Sequence, residues 1–219
     1  METPLLILAS ASPRRSELLR LLRPRFQIVP SPAAETRGEL WSAGELARVN
    51  ACLKARAVSR QFPDALVIGV DTLVAVGTAI FGKPRTRAEA RRMLAFLQGR
   101  THRVTTGVCL VHGRARRQKV FFEQTAVTFR ALTPAQIRRY HQKVNPLDKA
   151  GAYGIQEMGG ELVESISGSF TNVVGLPLEK LRAELDAFLA ALGARPLRAV
   201  PLAPVPPPPS GCPRRAGPL

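Results

Sequence analysis

The stretch Ser10-Ala11-Ser12-Pro13-Arg14-Arg15 holds residue types that bind phosphate. A helix N-terminus presents unpaired N–H groups and about half a positive charge. Two hydroxyls and two guanidiniums at the same end add donors suited to a phosphate chain. Asp71-Thr72 closes the apolar run from Ala65 to Val70. Ligands gather at the C-terminal ends of strands in open α/β sheets, where a carboxylate can bind a hard cation or act as a base. Lys54 and Lys83-Pro84 add cations elsewhere, and Asp148 to Gln156 sets an acid, a base and an amide among apolar residues and glycines. Taken singly, each has a plain structural reading. The first is a capped helix with solvated arginines, Asp71 caps a turn, the lysines face solvent, and the last is a turn with an internal ion pair.

Such residues need elements to hold them. Leu5 to Ser10 reads as a short buried strand that feeds a helix with Ser12 as N-cap and Pro13 at its first position. Phe26 to Pro30 is a second strand, followed by a polar loop holding Glu35. Leu46, Val49, Leu53 and Ala57 have helical spacing, which predicts a helix from about Ser42 to Phe62 with Lys54 on it. Ala65 to Val70 is a buried strand, continued by Leu73 to Val76 up to a turn at Gly77. Thr86 and Glu89 spell a capping box for a helix to about Gln98, and Thr133 to Gln136 starts another. Val104 to His112 and Lys119 to Arg130 pair as strands, Leu162 to Ile166 is a further strand, and Pro177 to Leu192 is an amphipathic helix. Interleaved strands and helices with some hairpins make an α/β fold on a mixed sheet.

Composition narrows the function. The chain has 219 residues and is 45% hydrophobic, enough for a sizeable core. No apolar run approaches the roughly 20 residues that cross a bilayer. The start, Met1 to Leu5, lacks a basic n-region, so a cytoplasmic protein without membrane attachment is expected. Three cysteines, Cys52, Cys109 and Cys212, have no CxxC spacing, and the histidines His102, His112 and His141 lack ligand spacing. The apolar neighbours of Cys109 place it in the core. No GxSxG, P-loop or GxGxxG signature is present. Lysine and arginine number 32 against 16 acids, a net charge of +16 that attracts polyanions. Aromatics at 5% are poor for base stacking, which argues against nucleic acid. From Pro196 the chain is proline-rich to its end, which predicts an extended, disordered tail beyond a body of residues 1–195.

Together these pieces resemble the Maf family of nucleoside triphosphate pyrophosphatases. In family order they are Ser10 to Arg15, Glu35, Lys54-Ala55-Arg56, Gly69-Val70-Asp71-Thr72, Gly82-Lys83-Pro84, Gly99-Arg100-Thr101-His102, Asp148 to Gln156, and Val174-Gly175-Leu176-Pro177. The match spans about residues 5 to 192. Val70 stands where alanine is usual and Ala11 where glycine is often seen, and neither change removes a charge. The resemblance implies an ITPase-like architecture: a strongly twisted mixed sheet with flanking helices, in two lobes around a long cleft. It implies hydrolysis of a nucleoside triphosphate to monophosphate and pyrophosphate with a divalent cation, and a homodimer. It assigns Asp71 as proton acceptor and links Arg14, Thr72 and Gln156 to substrate choice. The Asp148 to Gln156 loop looks like the branch acting on dTTP and UTP, with modified pyrimidine nucleotides fitting the same pocket.

The mechanism expected from this has Ser10, Ser12, Arg14, Arg15, Lys54 and Lys83 gripping the phosphates. Glu35 and Asp71 hold Mg²⁺ or Mn²⁺, and Asp71 takes the proton of the attacking water. Gln156 reads a pyrimidine edge, since one amide both donates and accepts. Two rivals compete. One is a nucleotide-sensing, nucleic-acid-binding or division-regulating protein without turnover, supported by the +16 charge. The other keeps the enzyme but gives it a purine or methylated purine substrate, against which Gln156 argues.

Overall fold

The computed structural model describes residues 3–36, 38 and 40–194. The expected proline-rich tail lies outside the described residues. β1 (Leu6–Ala9) is buried throughout and pairs in parallel with both β2 (Gln27–Ile28) and β3 (Leu66–Val76). Its register sets Ala9 opposite Gly69, so the chain leaves β1 beside the middle of β3. α1 (Pro13–Leu22) follows, with Pro13 in its first turn where no helical N–H is needed. Ser12 takes the N-cap conformation, but its side chain caps nothing. The turn out of β1 brings Ser10 back instead, and its Oγ accepts the Ser12 N–H at 3.3 Å.

α2 (Ala43–Ser59) opens on a full capping box between Ser42 and Glu45. It ends three residues short of the expected Phe62, because Pro63 disfavours helical backbone in the residue before it. β4 (Ala79–Phe81), which the sequence did not separate from its surroundings, folds back on β3 across Gly77 at φ +56°. At the start of α3 (Arg87–Leu97) only half of the expected box forms. Thr86 accepts from the Glu89 N–H, but the Glu89 carboxylate accepts from the Arg85 N–H at 2.7 Å.

β5 (Thr101–His112) and β6 (Arg117–Phe129) are neighbours in the sheet, as expected, and longer than the apolar runs that announced them. α4 (Pro134–Lys143) has a complete box from Thr133 and Gln136. A 3₁₀ turn at Ala150–Ala152 interrupts the glycine-rich loop. The short helices α5 (Gly159–Leu162) and α6 (Phe170–Val174) flank β7 (Val163–Ser167), and α7 (Leu178–Ala191) closes the described chain. The strands form one seven-stranded mixed sheet ordered β2-β1-β3-β5-β6-β7, with β4 paired to β3 off that path. The fold class is therefore the expected one, mixed α/β with flanking helices.

Two compact units divide the chain. The first comprises the described residues up to Asp71, Thr106–Glu123 and those from Gly175 on; the second comprises Thr72–Thr105 and Gln124–Val174. β3, β5 and β6 each contribute residues to both. In the first unit, α2 turns a stripe of Ala47, Ala51 and Ala55, all fully buried, toward the strands. Gly69 and Gly107 admit this close approach. A Cβ on Gly69 would strike the Ala51 carbonyl, and one on Gly107 would strike the Ala47 backbone. In the second unit, Ala90 and Met93 of α3 pack with Ala152 and Phe81.

Candidate active site

The position of α2 against β3 builds the core of the site. Gly69 and Asp71 are two apart on β3 and share a face. Since α2 is seated on Gly69, Asp71 points at the same helix. Asn50 and Lys54 lie four apart on α2 and so project together. Lys54 Nζ donates to Asp71 Oδ1 at 2.6 Å and to Glu35 Oε1 at 2.7 Å. The Asp71 side chain is 5% exposed, that of Lys54 13% and that of Glu35 48%. A charge buried to that degree needs a partner. Asp71 has two donors, because Asn50 Nδ2 reaches its other oxygen, Oδ2, at 3.2 Å. The same Nδ2 also reaches the Thr36 carbonyl at 3.3 Å, and Asn50 Oδ1 accepts the Thr36 N–H at 2.8 Å. Asn50 thereby fastens the Glu35 loop to α2.

Arg15, from the first turn of α1, closes another side of this unit. Its Nε donates to the Gly175 carbonyl at 3.0 Å, and Nη1 donates to Ser10 Oγ at 3.1 Å and to the Val70 carbonyl at 3.2 Å. These bonds join the exit of β1, the residue before Asp71 and the Gly175 turn. Burial lowers the Arg15 pKa, against the pull of Asp71 first and Glu35 second, while Arg14 pushes it down further. Arg15 thus has a structural task in addition to any contact with phosphate. Arg14 is half-buried on the same helical turn, and Ser12 is half-buried at its cap.

The second unit holds the remaining predicted residues. Thr72 follows Asp71 on β3 and is half-buried. Lys83 is exposed in the loop after β4, and Gln156 is exposed in a turn. Their loops meet through the Gly151 N–H, which donates to the Gly82 carbonyl at 3.1 Å. The Asp148 to Gln156 loop does hold an internal ion pair. Lys149 is buried and contacts Asp148 at 2.9 Å, Glu157 at 3.0 Å and the Asn145 carbonyl at 2.9 Å. A Cβ on Gly154 would sit 2.6 Å from Lys149 Cε, so a larger residue there would push the lysine aside. Beneath the loop, His102 Nε2 pairs with the Tyr153 hydroxyl at 2.7 Å. Burial drops the His102 pKa to about 3 and raises that of Tyr153 well above 10.

Of the predicted residues, Ser10, Arg15, Glu35, Lys54 and Asp71 are joined within the first unit by the bonds above. Thr72, Lys83 and Gln156 belong to the second unit. Sequence reasoning missed Asn50. Its signal was present: a polar residue four before Lys54 in a helix whose neighbouring positions, Ala47 and Ala51, face the core. Among the described residues, no cluster of three or more His, Cys, Asp or Glu is arranged to hold a metal. The donor set still fits a small divalent cation. Mg²⁺ is commonly held by one or two carboxylates together with substrate phosphates, and Glu35 and Asp71 are two hard-oxygen donors tied to one ammonium. Among the described residues, no helix is long and apolar enough to cross a membrane.

The chain is similar to known proteins over most of its length. The family model described as Maf-like protein matches residues 5–188. The chain is 50% identical over 183 residues to a dTTP/UTP pyrophosphatase of Moorella thermoacetica, covering 84% of this chain and 94% of that one. It is 47% identical to one from Symbiobacterium thermophilum, covering 84% and 93%. It is 44% identical to one from Bacillus cytotoxicus, covering 83% and 94%. Among solved structures, a HAM1 protein from Coxiella burnetii aligns with a TM-score of 0.39 at 18% identity, covering 58% of this chain and 73% of that one.

Proposed function

Since the chain belongs to the Maf family, we propose that it hydrolyses dTTP and UTP to the nucleoside monophosphate and pyrophosphate. The observation that carries this reading is the buried Asp71 carboxylate, held on one oxygen by Lys54 and on the other by Asn50, with Glu35 on the same ammonium. A triphosphate carries close to four negative charges, so its cleavage needs cations, an oriented water and a neutralised leaving group. Lys54 supplies a fixed positive charge beside the two acids. Ser10, Ser12, Arg14, Arg15 and Lys83 supply further donors for the phosphate oxygens.

Asp71 is the proton acceptor for the attacking water. Its two donors fix the plane of the carboxylate, so its free lone pairs have a set direction. Glu35 and Asp71 would hold a divalent cation, Mg²⁺ or Mn²⁺, whose chemistry there is to neutralise phosphate charge and acidify water. Thr72 and Gln156 read the nucleoside. The Gln156 amide matches a pyrimidine edge that needs one donor and one acceptor, and a site built that way rejects other bases strongly. A homodimer in the cytoplasm completes the reading.

The test is pyrophosphate release from the eight common nucleoside triphosphates, with Mg²⁺, with Mn²⁺ and with chelator. dTTP and UTP should head the series, and chelator should stop turnover. Equal rates on all eight, or release of orthophosphate in place of pyrophosphate, would overturn the proposal.

A further inference from the structure

The loop from Asp148 to Gln156 belongs to no strand, so side chains must supply the partners that a sheet would give its backbone. Three successive residues of the loop are held by buried rings from elsewhere in the second unit. His141 Nε2 pairs with the Ala152 carbonyl at 3.0 Å, and His102 Nε2 pairs with the Tyr153 hydroxyl at 2.7 Å. Tyr140 takes both backbone groups of Gly154. The Gly154 N–H donates to the Tyr140 hydroxyl oxygen at 3.0 Å, and that hydroxyl donates to the Gly154 carbonyl at 3.3 Å. One phenol thus spends its single donor and an acceptor site on one residue. Tyr140 is fully buried, and Gly154 is buried with it.

The anchor is a fixed element. Tyr140 lies on α4, whose start is held by the Thr133–Gln136 box, and Arg87 Nη1 of α3 donates to the His141 carbonyl in its last turn at 2.9 Å. What it anchors is a turn. The Gly154 carbonyl also accepts the Glu157 N–H at 3.1 Å, which closes a β-turn with Ile155 and Gln156 at its centre. Ile155 is buried, while Gln156 is exposed. Lys149 grips the far end of this turn through Glu157 at 3.0 Å, and Tyr140 grips the near end.

We propose that Tyr140 is a positioning residue for base selection: by fixing Gly154, it sets where the turn presents the Gln156 amide. This rests on the reading of Gln156, given above, as the group that meets the pyrimidine edge. An amide discriminates between edges only while its donor and acceptor are held in one orientation. Tyr140 acts through Gln156 and not by contact with the nucleotide. Tyr140→Phe keeps the ring and deletes the one atom that bonds Gly154, so the near end of the turn is released.

The test compares the full-length parent, Tyr140→Phe, Gln156→Ala and the double variant in pyrophosphate release from dTTP and from dATP. The readout is the ratio of kcat/KM for dTTP to that for dATP, in which the fraction of folded enzyme cancels. Tyr140→Phe should lower this ratio about tenfold, the scale of one lost buried hydrogen bond. The loss should fall on KM for dTTP, with kcat little changed. In the Gln156→Ala background Tyr140→Phe should lower the ratio no further, since one residue works through the other. A ratio that Gln156→Ala lowers and Tyr140→Phe does not would overturn the proposal, as would two losses that multiply in the double variant. Amide hydrogen exchange separates the anchor from the base reading. The Gly154 and Glu157 amides should exchange about tenfold or more faster in Tyr140→Phe, while those of α2 keep the parental rate. Parental rates at both loop amides would overturn the anchor whatever the activity. Should Tyr140→Phe not fold, open-chain exchange at these two amides in the parent protein would do the same, and slow exchange there would support it. A ratio unmoved by Gln156→Ala would strike the reading of Gln156 and the selection with it, leaving the exchange result to decide the anchor alone.

Discussion

Asn50 Nδ2 lies 3.2 Å from Asp71 Oδ2 while Asn50 Oδ1 accepts the Thr36 N–H at 2.8 Å. One buried amide therefore spans the loop that carries Glu35 and the strand that carries Asp71. It cannot be the group that cleaves substrate, since its donors and acceptor are turned toward protein. Its work is to keep the two acids in a constant relationship. Asn50→Leu removes all three bonds with little change in volume. The expected result is a fall in kcat of about tenfold to a hundredfold, because small displacements of a catalytic group are costly. KM should move far less. A parallel fall in kcat and in the fraction of folded protein, read by circular dichroism, would show a purely structural part.

Asp71→Asn keeps the shape and the Asn50 contact region but removes the proton acceptor. Turnover of dTTP should drop by about a thousandfold, within the usual range for loss of a general base. Lys54 retains its contact with Glu35, so the melting temperature should stay near that of the parent protein. A variant with half the parental kcat would remove Asp71 from the mechanism.

Much of this was legible in the residues, for identifiable reasons. Asp71 closes an apolar run and so stands out without coordinates, but the strand does not end there as expected: β3 continues through it from Leu66 to Val76, because Leu73 to Val76 extend the apolar pattern. Lys54 stands in a helix whose apolar spacing is plain. The capping box at Thr133 is local, so the chain segment alone specifies it. What the sequence hid depends on contacts distant along the chain. Arg15 reads as a phosphate ligand, and only its bonds to Val70 and Gly175 reveal a structural task. Asn50 reads as one polar residue in a helix until Asp71 is brought to it. Glu89 lost its expected capping bond to the competing Arg85 N–H, which local pattern does not rank, and the Ser12 side chain forms no cap. The helices α5 and α6, at four and five residues, are too short to show a period.

Gln156→Glu tests base choice. The change deletes the only donor of the amide and adds a charge at an exposed turn. kcat/KM for dTTP and UTP should fall by about a hundredfold, as when a built hydrogen bond loses its partner. Unchanged values for both would assign pyrimidine recognition to other residues.

Lys149 anchors the loop that leads to Gln156. Its ammonium is buried, but its partners Asp148 and Glu157 have side chains 44% and 41% exposed. Lys149→Met leaves those acids free to hydrate, so no stranded charge remains. The cost should be about 1 kcal/mol of stability, the scale of a partly exposed pair. KM for dTTP should rise several-fold while kcat changes little, because the loop loses order. An unaltered KM and denaturation midpoint would show that the glycine-rich backbone orders itself.

His102 sets a pH dependence on stability. Its ring is buried edge-on against Phe129 and Tyr153, its Nδ1 has no partner, and burial alone lowers its pKa from 6.5 to about 3. An unfolded chain takes up a proton at this residue as pH falls through 6.5, whereas the folded chain declines it until about pH 3. Between those values the unfolded state holds more protons, so stability rises with pH. The contribution is complete above pH 6.5 and is lost on acidification at up to about 1.4 kcal/mol per pH unit. His141, also lowered by burial, acts in the same direction. Urea denaturation midpoints at about pH 7 and about pH 5 should therefore differ by more in the parent protein than in His102→Gln. The variant is less stable at neutral pH, since its amide replaces a ring that packs against two aromatics, but its slope should be shallower. Equal slopes in the two proteins would mean that His102 titrates in the folded state as it does in water.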